Sequence, residues 1–165
     1  MKIRHASIHD LPAIKSIYAA ARAFMQQHGN PTQWGNTRPS QSQIERDIAD
    51  KNSYVCTENG VVVAVFAFIV GDDPTYHLIK DGAWHSDQIY GTIHRIAANG
   101  TVKGVSRACF AFCASRCSYL RIDTHENNQP MQAAIRKFGF KPCGIIYAAD
   151  GTERLAFDYL QQESF

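Results

Sequence analysis

The sequence lacks a long hydrophobic run and lacks a clear excess of either charge. Its longest apolar stretch, 61–70, is too short to span a bilayer, and the opening residues MKIRHASIHDLP contain no apolar signal core. We therefore expect a cytoplasmic protein without a membrane partner. The chain has 17 Lys and Arg against 15 Asp and Glu, a net charge of +2 without a basic stripe, so we expect no nucleic-acid partner.

Cysteines are few and lack the spacing of a disulfide framework. Their number is five, which is odd, and this favours reduced thiols. Cys109, Cys113 and Cys117 recur at every fourth position of a predicted helix. We interpret them as small buried apolar residues and expect no metal site, because a thiolate site usually needs closer pairs and further ligands.

Several nucleotide-binding and hydrolase signatures are also absent. No Gly-x-Gly-x-x-Gly turn lies near the start, and no Gly-Lys-Ser/Thr occurs, which excludes Rossmann-type and P-loop readings. No Cys lies at an obvious strand–helix elbow, which argues against a cysteine hydrolase. With 165 residues, 45% hydrophobic and 19% charged, the composition is globular, and we expect residues 1–165 to form a single domain.

Local patterns predict the outline of the first half. Lys2 to Ser7 is predicted as a strand near a sheet edge, and Ser40 is predicted to cap a helix over Gln41 to Asp50. Between them, Gly29-Asn30-Pro31 ends a longer helix. Its apolar stripe at helical spacing comprises Leu11, Ile14, Ile17, Tyr18, Ala21 and Met25.

Two short turns predict β-hairpins. Asn-Gly and Asp-Gly both favour tight turns between strands. The hairpins are 53–57 with 61–70 around Asn59-Gly60, and 141–147 with 152–160 around Asp150-Gly151.

The stretch from Tyr90 to Phe140 carries the strongest functional signal. A strand leads into a turn with Gly100 and Gly104, and a helix pattern begins at once. Backbone N–H groups of such a turn and helix N-terminus attract an anion. Gly104 and Ser106 would let the anion approach the main chain, although such residues also occur in ordinary strand–helix connections.

The same stretch resembles the GNAT superfamily of acyl-CoA-dependent N-acyltransferases. The loop Thr101-Val-Lys-Gly104-Val-Ser106 is similar to the family's Gln/Arg-x-x-Gly-x-Gly/Ala, and Asn128 precedes a helix that closes in Gly139-Phe140. Two residues depart from the pattern: Thr101 replaces a Gln or Arg, and Ile135 replaces the Tyr that often protonates the leaving thiolate. The likeness is close over the C-terminal half and holds in outline over the N-terminal half.

The resemblance implies an α/β (α+β) fold with acetyl-CoA as co-substrate. A mixed, mostly antiparallel sheet of about seven strands would splay between its fourth and fifth strands, with about four flanking helices. Ile93 and Ile96 are three residues apart, so that strand is either buried on both faces or bulged; the resemblance implies a bulge. The implied coenzyme contacts are Arg95, Ile96, Ala97, Thr101, Val102, Lys103, Gly104, Val105, Ser106, Arg107 and Asn128, of which Asn128 is equally a candidate helix N-cap.

Candidate acid–base residues follow from the chemistry of amide formation. His94 and His125 are suited to accept the amine proton, and Asp123 is suited to orient either ring. Tyr147, another hydroxyl or water would protonate the leaving thiolate.

The predicted function is transfer of acetyl from acetyl-CoA to a primary amine by direct attack. The acceptor, a small molecule or a peptide, is open, and a homodimer is one arrangement the sequence leaves open. Trp34 and the aromatics of 71–88 would line the acceptor pocket or anchor their loops. The competing hypothesis is a non-catalytic acyl-CoA-binding or sensory module on the same fold, favoured by Ile135.

Overall fold

The computed structural model describes residues 1–162, which contain seven strands and four α-helices. The strands are β1 (Lys2–His5), β2 (Ser53–Glu58), β3 (Val61–Val70), β4 (Gly91–Ala98), β5 (Tyr119–Thr124), β6 (Lys141–Tyr147) and β7 (Glu153–Leu160). The helices are α1 (Leu11–Gln27), α2 (Gln41–Ala49), α3 (Val105–Arg116) and α4 (Gln129–Phe138).

The strands form one mixed sheet in the order β1-β2-β3-β4-β5-β7-β6. β4 and β5 are parallel, while β1–β2, β2–β3, β5–β7 and β6–β7 are antiparallel. The β4–β5 ladder consists of Gly91 opposite Leu120 and Thr92 opposite Arg121. This confirms the predicted fold class, and so short a ladder is what a splay between the fourth and fifth strands requires.

Local signals account for most element boundaries. Asn59 and Gly60 both have positive φ, +52° and +81°, as a primed hairpin turn requires. Ser40 Oγ accepts the Gln43 N–H at 3.2 Å and caps α2 as predicted. β1 ends at His5, earlier than predicted, because Ser7 leads into a 3-10 turn at Ile8–Asp10.

The described residues divide into two compact units, each with its own core. The first comprises Met1–Phe68 with His94–Cys109, and the second comprises Ile69–Ile93 with the chain from Phe110 onward. The buried core of the first unit contains Ile14, Ile17, Tyr18, Ile44, Val55, Val65 and Ala97. That of the second contains Tyr76, Tyr90, Tyr119, Cys143, Ile146 and Ala156.

Candidate functional site

The predicted anion loop lies in the first unit, between the end of β4 and the start of α3. Asn99 shapes it, because its side-chain oxygen accepts the Thr101 N–H at 3.0 Å and the Thr101 hydroxyl at 2.7 Å. Gly104 precedes the helix, and its carbonyl accepts the Ala108 N–H at 3.1 Å. The first N–H groups of α3 therefore follow Gly104 directly, as the prediction requires.

Gly104 has a backbone that few other residues would adopt. Its φ is +80°, and a Cβ built there would meet no atom within 4 Å. The space beside the main chain is thus open, and Lys103 and Arg107 are exposed next to it. An open backbone surface, a helix N-terminus and two cations together suit a phosphate group.

A left-handed residue interrupts β4 before the loop. Arg95 has φ +52°, whereas Ile93 is buried and Ile96 is half-buried. A left-handed residue inside a strand is typical of a bulge. Of the two arrangements predicted for this strand, the geometry therefore favours the bulge.

Side chains of the first unit hold this bulge in place. The Tyr18 hydroxyl donates to the Arg95 carbonyl at 2.7 Å, and burial raises the pKa of that hydroxyl. The Arg95 guanidinium donates to both oxygens of buried Asp47, at 2.8 and 2.9 Å. The Arg95 side chain is therefore occupied within the protein, which leaves its main chain as the part suited to the predicted coenzyme contact.

Asn128 begins α4 in the second unit. Its Oδ1 accepts the Met131 N–H at 3.2 Å, so the side chain caps the helix. This is one of its two predicted roles, and a cap remains compatible with a contact from the rest of the amide. Ile135 lies further along the helix and is fully buried, so its position supplies no proton donor.

His125 has one ring nitrogen engaged by the backbone. Its Nδ1 lies 3.0 Å from the Asn127 nitrogen, which can only donate, so Nδ1 accepts and the neutral ring carries its proton on Nε2. Burial, assisted by nearby Arg154, lowers the pKa of His125. The ring is neutral at pH 7, but its basic lone pair faces a main-chain N–H.

The other two acid–base candidates in this unit have partners that the sequence did not predict. Asp123 accepts a hydrogen bond from the buried Tyr76 hydroxyl at 2.6 Å. Burial and this carboxylate raise the pKa of Tyr76. The Tyr147 ring lies 5.6 Å from the Lys80 ammonium.

The aromatics of the long loops anchor those loops. Trp34 packs against the core of the first unit, with its ring edge-on to Tyr18 at 5.4 Å. In the second unit, Trp84 Nε1 donates to the Tyr76 carbonyl at 3.0 Å. Of the two roles predicted for these residues, anchoring is the one with observed contacts.

Sequence reasoning missed a polar cluster in the second unit. His85, Cys143 and Asp158 each offer a ligand atom, and these atoms lie within 4.8 Å of one another. His85 and Cys143 also line a cavity of about 640 Å³. No local spacing could have indicated this cluster, because its members lie on a loop and two strands.

Proteins similar to this chain were found by comparing structures. No protein-family model matches the chain, and no curated protein sequence matches it. A GNAT-family acetyltransferase from Streptococcus agalactiae superposes with a TM-score of 0.90 at 28% identity, covering 98% of this chain and 96% of that one. The chain has the GNAT fold.

More distant structures share the GNAT fold alone. A ribosomal-protein-alanine N-acetyltransferase from Brucella melitensis has a TM-score of 0.65 at 18% identity, covering 97% of this chain and 99% of that one. A GNAT superfamily phosphinothricin acetyltransferase from Sinorhizobium meliloti, in complex with acetyl-CoA, has a TM-score of 0.66 at 15% identity, covering 99% and 90%.

The structure places both residues that depart from the GNAT sequence pattern. Thr101 is exposed at the loop, where a longer Gln or Arg is usual, and Ile135 is sealed in the core. Among residues 1–162, no helix combines the length and the hydropathy needed to cross a bilayer.

Proposed function

We propose that this chain is an acetyl-CoA-dependent N-acetyltransferase whose acceptor is a primary amine. The observation that carries the proposal is the open Gly104 backbone at the start of α3, within the GNAT fold. A related structure with this fold holds acetyl-CoA, which supports the same co-substrate here.

The coenzyme would be held mainly by main-chain groups. Thr101 to Arg107 would bind the diphosphate through N–H groups, with Lys103 and Arg107 adding charge. Arg95 to Ala97 would pair with the pantetheine arm as an added strand does. Asn128 would contact the arm while it caps α4. A side-chain change outside the loop should therefore affect coenzyme affinity less than a change of loop backbone.

The amine would attack the thioester directly. A backbone N–H near Ile96 would stabilise the developing oxyanion, and His94 would accept the amine proton. His125 is the second candidate, and its Nδ1 lone pair would have to give up the Asn127 N–H before it could accept a proton. Tyr147 or water would protonate the thiolate, since Ile135 has no proton to give.

The basicity of the amine, rather than similarity to other proteins, bears on the choice of acceptor. The similar proteins are named for acceptors as different as phosphinothricin and a ribosomal-protein alanine, so they select none. An α-amine with a pKa near 7.7 costs about 1 kcal/mol to deprotonate at pH 7, against about 4.6 kcal/mol for a lysine-like amine. A weakly basic amine would therefore need less help from His94 to lose its proton.

A second function deserves a test because of Ile135. Isoleucine has no proton to donate where the family often has Tyr, and its side chain is fully buried. This favours a module that binds acyl-CoA without turning it over. Such a protein would bind the coenzyme through the loop but would not transfer the acyl group.

One experiment separates the two. The full chain is incubated with acetyl-CoA and a panel of α-amines, polyamines, aminoglycosides and N-terminal peptides, and released coenzyme thiol is measured beside direct binding of coenzyme A. Amine-dependent thiol release supports the enzyme. Binding without release on every amine supports the module, and absence of binding overturns both.

A further inference from the structure

The cluster His85, Cys143 and Asp158 brings three different ligand types to one point. His85 Nδ1 lies 2.7 Å from an oxygen of Asp158 and 3.4 Å from the Cys143 sulfur. All three ligand atoms fall within 4.8 Å of one another. Neighbouring ligands around a tetrahedral ion with bonds of about 2.0–2.3 Å are roughly 3.3–3.8 Å apart. The His85–Cys143 pair already has this separation, and the hydrogen-bonded His85–Asp158 pair would open slightly to admit an ion.

An irregularity of β6 directs Cys143 toward this point. Pro142 pairs with Phe157 and Gly144 pairs with Ala156, so Cys143 is the additional residue of a bulge. Bulges commonly redirect a side chain beside a functional site. Here the bulge places the Cys143 sulfur beside the ring of His85.

The loop that carries His85 is fastened to the same strand. Lys80 and Ile145 exchange two backbone hydrogen bonds of 2.8 and 2.9 Å. A Cβ on Gly82 would lie 1.8 Å from the Cys143 carbonyl oxygen, and one on Gly144 would lie 2.6 Å from the Lys80 carbonyl oxygen. Only glycine permits this approach, so the main chain itself sets where His85 stands.

Asp158 supplies a buried carboxylate whose two oxygens have different partners. It is 3% exposed, and its Oδ2 accepts the His85 backbone N–H at 2.8 Å and the Tyr119 hydroxyl at 2.7 Å. These bonds orient the carboxylate without the His85 ring. Oδ1 is hydrogen-bonded to the His85 ring, which is itself a proposed ligand, so Oδ1 is the oxygen that an ion would bind in place of that hydrogen bond.

We propose that His85, Cys143 and Asp158 form a zinc site. Imidazole, thiolate and carboxylate together favour a borderline-soft ion such as Zn²⁺ over Mg²⁺ or Ca²⁺, which prefer oxygen ligands. The thiolate and the carboxylate balance the double charge of the ion, as a largely buried site requires.

Binding requires that the ligand atoms carry no proton. The Cys143 thiol releases its proton to solvent, and the His85 ring binds through Nδ1 with its proton on Nε2. The His85 side chain is 49% exposed, which gives the ion access. The fourth ligand would come from the cavity of about 640 Å³ that His85 and Cys143 line.

The test uses the full chain, stripped with a chelator and titrated with Zn²⁺ and, separately, with Co²⁺. We expect one equivalent of zinc to be retained after dialysis, and a cobalt–thiolate charge-transfer band. His85→Ala should weaken Zn²⁺ binding at least about tenfold, the loss seen when a group that merely orients a ligand is removed. Because the His85 ring is exposed and its backbone N–H stays, this variant should fold.

Matched variants identify the ligands. His77→Ala removes another exposed histidine of the same loop, which pairs with Asp72, and Cys117→Ser removes a thiol elsewhere; both should bind zinc as the wild type does. Cys143→Ser should lose the cobalt band. The proposal is overturned if the wild type retains no more zinc than His85→Ala, or if its cobalt complex lacks the thiolate band. Either result would mean that the three residues form only a hydrogen-bonded cluster.

Discussion

Gly104 combines a left-handed φ of +80° with open space on its Cβ side. Gly104→Ala should raise the Kd for coenzyme A about tenfold, because a methyl group would occupy the approach to the loop amides and strain the backbone by about 1 kcal/mol. Isothermal titration of coenzyme A measures the effect.

Gly60→Ala is the matched control for that change. Gly60 has φ +81° and equally open space, but it lies in the β2–β3 turn. Both variants should lose similar thermal stability, and only Gly104→Ala should lose affinity. Equal affinities in the two variants would remove the loop from the coenzyme site.

Substitution can distinguish the two histidine candidates. Burial lowers the pKa of His125, so the ring is uncharged at pH 7 and its charge does not prevent it from acting as a base. The obstacle is its Nδ1 lone pair, which accepts the Asn127 N–H. We expect His94→Gln to lower kcat/KM by about 100-fold, the lower range for loss of a general base, and His125→Gln to lower it far less. Initial rates of both variants between pH 6 and 9, with an amine that the wild type accepts, measure the two losses. A larger loss in His125→Gln than in His94→Gln would make His125 the base.

At the scale of elements, Asp10 ties β1 to the start of α1. It accepts two hydrogen bonds from Arg4, at 2.8 and 3.0 Å, and the Ser7 N–H at 2.8 Å. The Arg4 contact, with help from Ser7, lowers the pKa of Asp10. A lowered carboxyl pKa stabilises the fold above the unfolded value of about 3.9, and this stabilisation fades as the pH falls through the folded value.

Asp10→Asn should therefore destabilise the protein by about 1 kcal/mol at pH 7, a modest figure because Arg4 is half exposed. The difference from wild type should begin to shrink below about pH 4 and close as the pH falls through the lowered pKa of Asp10. Urea unfolding at pH 7, 5 and 3.5 measures it. A difference that stays constant across this range would mean that the ion pair contributes nothing.

The junction between the 80–85 loop and β6 depends on Gly144. Gly144→Ala would put a Cβ 2.6 Å from the Lys80 carbonyl oxygen at φ +149°, and we expect a loss of at least about 2 kcal/mol. Faster hydrogen exchange at the Lys80 and Ile145 amides would locate the damage. Gly151→Ala, with φ +82° and no atom within 4 Å of the Cβ, should leave those amides protected.

Element prediction succeeded where the cause was local. Asn59-Gly60 and the Ser40 cap act within a few residues, so the sequence indicated β2, β3 and α2 directly. The bulge at Arg95 was predicted as one of two alternatives, because its spacing signal was ambiguous. The bulge at Cys143 could not be predicted, since the main chain that packs against it is that of Gly82, which is distant in the sequence.

At the scale of the whole molecule, direct attack predicts a kinetic pattern. The chain's cysteines offer no exposed nucleophile: Cys56, Cys109, Cys113 and Cys143 are buried, and the Cys117 thiol donates to the Tyr119 carbonyl at 3.2 Å. Burial and Asp158 raise the pKa of Cys143. We expect intersecting lines when acetyl-CoA and amine are varied together, whereas a covalent acyl-enzyme would give parallel lines.

The fold class could be predicted because the motifs between Tyr90 and Phe140 lie close together in sequence, and the structure confirms it. The partners of His125 and Asp123 could not be predicted, since a turn N–H and a distant Tyr76 supply them. The single domain, the cytoplasmic location and the homodimer stay predictions. The acceptor stays open because loop aromatics that could line a pocket also anchor their loops.

The two tryptophans lie one in each compact unit, Trp34 in the first and Trp84 in the second. In Trp34→Phe, all indole fluorescence would come from Trp84. That ring stacks 4.1 Å from the Arg121 guanidinium and directly precedes His85. Its emission would then report on metal arriving at the neighbouring imidazole, without a dye or a label.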